Sequence, residues 1–255
     1  MSPAALRKAG VLCCAVVALS AGVAHGTGAL VEVDNLILRA DGGFQPRQLP
    51  GDGYAPIDFK GHVDFAGRDG GPPPTLLQAI IDFDRDGRLT VAGLPTCAPE
   101  SIAAASTEEA RAACHRAIVG TGRVDAVISL DSGPVEASSP LTLFNGPRLN
   151  GNPTVVIHAR TTVPATQTYA IVVPIERRGG EFRYRALLNV PPIAGGRGAI
   201  THIDVEVGRR YRAGGQLRSY VSARCSDGIL RTHGRFIFGD GTVIDGSVEK
   251  FCRAR

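Results

Sequence analysis

The run Asp82-Phe83-Asp84-Arg85-Asp86-Gly87 is the stretch of this chain whose residue types and spacing point most directly to chemistry. Three carboxylates at alternate positions before a glycine open the loop of an EF-hand calcium site. Calcium takes roughly six to eight oxygens, and such a run supplies the first of them. The twelfth position of that motif calls for a bidentate glutamate, and here it is Gly93. The flanks are not helical either: Leu76 to Ile81 reads as a strand, and Leu94-Pro95 follows. The competing reading is a hairpin in which Asp82 and Asp84 face water and Asp86-Gly87 makes the turn. Calcium held by Asp82, Asp84 and Asp86 is therefore an expectation with a plain alternative, and no other cofactor is indicated.

Catalytic motifs are missing. There is no G-x-S-x-G elbow, no H-E-x-x-H and no glycine-rich loop ending in Lys-Ser or Lys-Thr. Ala194-Gly195-Gly196-Arg197-Gly198 lacks the lysine of a phosphate cradle and joins two strand-like runs, so it reads as a flexible loop. After the N-terminal segment the histidines are His62, His115, His158, His202 and His233, none with a second histidine within seven residues. His62, His158 and His202 fall at outward strand positions, where a solvated imidazole is expected. A Ser-His-Asp set assembled only in space leaves no local trace, so a hydrolase remains a second expectation. With no Trp, 9 Phe and 5 Tyr, a sugar-stacking platform is not indicated.

The elements that would position these residues are mostly strands. Ile57, Phe59, Val63 and Phe65 alternate with Asp58, Lys60, His62 and Asp64, the pattern of a strand buried on one face. Phe182, Tyr184, Ala186 and Leu188 alternate with Arg183 and Arg185, and Ala199, Thr201, Ile203, Val205 and Val207 with His202, Asp204 and Glu206. Asp86-Gly87, Gly179-Gly180, Asp227-Gly228 and Asp240-Gly241 each stand between strand-like runs and predict tight hairpins. Residues 217–225, 229–238 and 242–252 would then form a closing three-stranded meander. One helix is expected. Ser106 with Glu109 makes a capping box, Ala110, Ala113, Cys114, Ala117 and Ile118 follow at helical spacing, and Gly120 supplies the stop.

Arg7 and Lys8 precede an apolar run from Ala9 to Ala24, and small residues then offer cleavage after Ala24 or Gly26. That is the layout of a secretory signal peptide over residues 1–26, and the run is shorter than the roughly 20 residues a spanning helix needs. No later stretch approaches that length. The remaining cysteines are Cys97, Cys114, Cys225 and Cys252. An even number in an exported chain suggests bridges. Locality favours Cys97–Cys114 and Cys225–Cys252, although two ends of a meander stand about 10 Å apart, beyond bridging reach, unless one leaves the sheet. Zinc spacing is lacking. Net charge is +4 for the chain and +2 without residues 1–26, which makes no case for nucleic acid. Residues 27–146 carry −7 and residues 147–255 carry +9. Either this asymmetry marks an interaction surface or the halves complement each other when folded.

Gly93-Leu94-Pro95-Thr96-Cys97, Ala113-Cys114, Val119-Gly120-Thr121-Gly122, Phe144-Asn145-Gly146, Ile193-Ala194-Gly195-Gly196 and the segment from Arg218 through Cys225 to Asp240-Gly241-Thr242 resemble a family of uncharacterised exported bacterial β-rich proteins. The resemblance spans about residues 75–252. It implies that the four cysteines belong to a shared scaffold and assigns no activity. The expectation is thus a mainly β protein: one antiparallel sandwich-like domain over residues 27–255 with hairpins, one short covering helix and two bridges. Two β domains split near 147–153 are the alternative. The expected role is non-enzymatic binding or structure in the cell envelope or outside the cell, with an envelope or extracellular partner, no nucleic acid and no transmembrane segment in the mature chain.

Overall fold

The computed structural model describes residues 27–255; the expected signal peptide, residues 1–26, lies outside the described residues. The protein is mainly β, with antiparallel strands, hairpins and one short α-helix. Twelve strands form its principal sheet: β1 (Ala29–Val33), β2 (Leu36–Gln45), β3 (Asp58–Gly67), β4 (Leu76–Asp84), β5 (Ile118–Leu130), β6 (Gly133–Leu149), β7 (Asn152–Thr161), β8 (Gln167–Arg177), β9 (Phe182–Asn189), β10 (Gly198–Val207), β11 (Ile229–Phe238) and β12 (Val243–Phe251). Their order across the sheet is β1-β2-β3-β10-β5-β6-β7-β8-β9-β4-β11-β12. The two edges come together, with Glu249 N–H donating to the Thr27 carbonyl at 3.1 Å and Ala29 and Val31 of β1 packing in one cluster with Ile244 of β12. One sheet therefore curls nearly shut into a barrel where two facing sheets of a sandwich were expected. Twist accumulated over this many strands brings the edges together, and joining them covers otherwise unpaired backbone.

Alternation sets what the barrel wall shows to each side. Phe59, Val63 and Phe65 of β3 point inward, while Lys60 and Asp64 point outward to meet Glu206 at 2.9 Å and His202 at 2.6 Å on β10. Charges outside and apolar groups inside reverse the wall of a lipid-facing barrel. No helix among the described residues is long and apolar enough to cross a membrane. In β10 a bulge at Thr201 shifts the register between Ile200 and His202, so Ile200, opposite Ala126, faces inward where alternation alone had put Thr201.

The hairpins at Gly179-Gly180 and Asp240-Gly241 join paired strands. Those at Asp86-Gly87 and Asp227-Gly228 do not. After Asp86 the chain leaves β4, and Gly87–Leu89 pairs with Val221–Ala223, which pairs on its other side with Ala55–Pro56. The expected meander thus keeps only β11 and β12. Its first member, 217–225, is divided between this small sheet and a hairpin of Arg210–Ala213 with Gln216–Ser219. Because that segment lies outside the barrel wall, Cys225 reaches Cys252, with Cα atoms 5.9 Å apart. Residues 147–153, where the alternative reading split the chain, hold the end of β6, the turn at Asn150-Gly151 and the start of β7, with Asn152 opposite Leu149.

Helix α1 (Thr107–Ala113) is capped as expected, with Glu109 N–H donating to Ser106 Oγ and Ser106 N–H to Glu109 Oε2. It ends earlier than its spacing suggested. Cys114, bonded to Cys97, is the C-cap, a 3₁₀ turn follows, and Gly120 lies inside β5. Cys97, Ile102, Ala110 and Ala117 cover Phe144 and Val156, which point out of the barrel yet are fully buried.

Strands from the acid-rich and base-rich halves interleave. β10 lies between β3 and β5, and β4 between β9 and β11. Asp82–Arg185 at 2.7 Å, Asp86–Arg224 at 2.7 Å and Asp58–Arg210 at 3.2 Å pair the halves.

Candidate binding cavity

A barrel's diameter grows with strand number, and about eight strands already enclose a core that side chains just fill. Twelve strands leave more interior than that, and this chain lines part of it with small residues. Ala126 and Ala137 stand opposite each other in register on β5 and β6, both inward, with Ala40, Ala79, Ala159 and Gly234 on other strands. The result is an internal cavity of about 380 Å³, walled almost entirely by carbon. That volume lies in the range of small-molecule sites, roughly 300–1,000 Å³.

One end of the barrel is filled. Tyr220 is fully buried there with Leu94 and Tyr211, and burial pushes its phenol far up. The Tyr211 hydroxyl lies 3.1 Å from the carbonyls of both Thr90 and Ala92, tying the plug to the strand exit after β4. The Cys225–Cys252 bridge, with Leu49, Ala55 and Ile57, closes the same end. Lys250 of β12 lines the cavity toward this end and pairs with Asp41 of β2.

The other end is looser. β8 and β9 pair only from Ile175 to Arg177 and from Tyr184 to Ala186. Beyond that the two strands part. Tyr169 and Ile171 form one lip of the gap, and Leu188, Val190, Pro191 and Ile193 form the other, all cavity-lining. The Tyr169 hydroxyl is buried here beside the backbone of Ala194, without a well-formed hydrogen bond. The loop after β9 turns through Ala194, Gly195 and Gly196, all with positive φ, and this tight turn is what the glycines permit. It folds Ile193 onto Gly198, where a Cβ would lie 2.5 Å from Ile193 Cγ2. The segment read from sequence as a flexible loop is therefore a cover for this mouth.

The three aspartates of the calcium motif are placed at the exit of β4, each with donors. Asp82 receives two hydrogen bonds from the Arg185 guanidinium, at 2.8 and 2.7 Å. Asp84 accepts from the backbone N–H groups of Asp86 and Arg231, both at 2.8 Å. Burial pushes the Asp84 carboxyl up, and Asp86 and Asp227 add to it, against those two bonds. Asp86 is buried too, yet its bonds from Ser226 and Arg224 hold its carboxyl below the ordinary range. Asp82 and Asp84, which the hairpin reading turned toward water, are buried, and so is Asp86. Among the described residues no group of three or more His, Cys, Asp or Glu side chains is placed to hold a metal ion.

His62 and His202, far apart in sequence, come together on the outer wall, His62 opposite Asp204 and His202 opposite Asp64. His158 corrects the expectation of a solvated imidazole. His158 points out of the barrel but is fully buried, because residues 99–113 lie over it and its Nε2 donates to the Ala105 carbonyl at 3.1 Å. His202 Nδ1 meets Asp64 at 2.6 Å and its Nε2 faces Asp204 at 3.5 Å, on the outer wall. The Ser138 hydroxyl donates to Asp125 at 2.6 Å, not to an imidazole. The cavity was invisible to motif reading because it is lined mostly by alanine, glycine, aliphatic and phenylalanine side chains. Its only sequence signal is small residues at inward positions of several strands. No family model, no curated protein and no solved structure matches this chain.

Proposed function

We propose that this protein is a non-enzymatic carrier that binds an apolar small molecule inside its barrel and works outside the cytoplasm. The carbon-lined cavity, plugged at one end and covered by a loop at the other, carries this reading. Burying an apolar ligand there is favourable by about 25 cal/mol per Å² of surface removed from water. Two disulfides fit an oxidising compartment, as does the tripartite N-terminal sequence, and both suit a secreted or envelope protein. The test is titration of the oxidised protein with N-phenyl-1-naphthylamine, whose emission rises in apolar surroundings. Saturable binding near one per chain is expected. Ala126→Phe and Ala137→Phe, filling the cavity from two adjacent strands, should each abolish it while far-UV circular dichroism is retained. Absence of saturable binding to the folded wild type, or unchanged binding in both folded variants, would overturn the proposal.

A further inference from the structure

The small sheet outside the barrel gathers positive charge around one aromatic ring. Ala55–Pro56, Val221–Ala223 and Gly87–Leu89 pair with Ala223 opposite Ala55 and Ser222 opposite Arg88. Tyr54, Arg88 and Arg224 lie on or next to these strands, and Arg183 arrives from the start of β9. The guanidinium carbons of Arg88, Arg183 and Arg224 lie 5.3, 5.6 and 5.7 Å from the centre of the Tyr54 ring. Arg183 Nη1 also donates to the Tyr54 hydroxyl at 2.6 Å.

Ring quadrupole attraction holds each cation but does not cancel the repulsion among three of them. The carboxylates that act on Arg224 are Asp86, which is buried and bonded to Arg224 and the Ser226 amide, and Asp52, which acts from a distance. Arg88 and Arg183 form no ion pair with any carboxylate among the described residues, although Asp82, Asp86 and Asp227 nearby are each paired with other arginines. The same hairpin adds Arg177 and Arg178, both exposed. The three guanidiniums at the ring thus have one carboxylate in direct contact, Asp86 on Arg224.

We propose that Arg88 and Arg183, set by Tyr54 and backed by Arg224, form a surface site for a phosphate monoester. Two guanidiniums without carboxylate partners match its two negative charges, and planar guanidinium forks suit its oxygens better than a point charge would. Tyr54 fixes Arg183 through its hydroxyl and presents a rigid face to Arg88, so little side-chain freedom is lost on binding. The site is independent of what the barrel carries.

Calorimetric titration with phenyl phosphate and with inorganic phosphate, at ionic strength held constant with sodium chloride, tests this directly. Flotation with phosphatidic acid vesicles against phosphatidylcholine vesicles tests the same group on a lipid. Saturable binding of the soluble phosphates is expected if the source is a free metabolite, and binding to phosphatidic acid vesicles alone if it is a headgroup. In either case Arg88→Gln and Arg183→Gln should each weaken binding by about tenfold or more. Both substitutions should leave naphthylamine uptake unchanged, which separates loss of this site from loss of the fold or of the barrel's function. No binding in either arm, or wild-type binding by the folded double variant, would overturn the site.

Discussion

His158 points away from the barrel interior, as alternation along β7 requires, yet no water reaches it because the segment around α1 lies on top. Burial is the main reason its imidazole is held below its ordinary value of 6.5, and the nearby Arg160 and Arg111 act in the same direction, against the bond to Ala105. The unfolded chain therefore binds a proton at His158 more readily than the folded one. Stability tied to this residue is complete above the ordinary value and is lost as pH falls through it toward the folded value. The melting temperature should thus drop between about pH 7 and pH 5, and His158→Gln should flatten that slope whatever it does to stability at neutral pH. An unchanged slope in the variant would show that other groups set it. Asp82, Asp84 and Asp86 teach the same lesson. Their spacing suggested a calcium loop, but their partners Arg185, Arg231 and Arg224 come from segments more than a hundred residues away. No local pattern reports such partners.

Among the elements, α1 shows how a short helix is held. Seven residues are too few for a helix to persist unaided in water. Its capping box satisfies two end groups, Ala110 packs onto the barrel, and Arg111 Nε donates to Thr142 Oγ1 at 2.9 Å. The Cys97–Cys114 bridge closes a loop of 17 residues' separation around it. Replacing both cysteines with serine should cost about 3 kcal/mol by urea unfolding, the chain-entropy value for a loop of this size. The far-UV strand signal should persist, because the barrel closes without the helix. A loss near zero would mean that packing alone holds the segment. The cap was legible because it depends on Ser106 and Glu109 only; the early end was not, because it follows from where β5 must begin.

For the molecule as a whole, the balance between filled and empty interior matters most. Tyr220 fills one end, and Tyr220→Ala should destabilise by about 3–5 kcal/mol, the range for removing a buried aromatic ring. The same change lengthens the cavity toward the Cys225–Cys252 end, so a longer apolar ligand should gain affinity relative to a short one. Equal affinities for both in a folded Tyr220→Ala protein would mean that the plug and the cavity are separate spaces.

Residue order by itself determined the inward and outward faces of β3 and those of β9 from Tyr184 on, the turns at Gly179-Gly180 and Asp240-Gly241, and the capped start of α1; a bulge before Tyr184 turns Phe182 outward against His233, where alternation had put it inward. Each of these rests on interactions within a few residues, so a window of sequence contains its cause. Only the tertiary structure decided that one sheet closes into a barrel, that Thr201 is bulged and Ile200 turned inward, and that 217–225 leaves the sheet to bring Cys225 to Cys252. The same holds for the apolar cavity and for three arginines meeting at Tyr54. These depend on which distant strands become neighbours. That choice is made by the whole set of strands at once, through twist, edge pairing and the volume left between side chains.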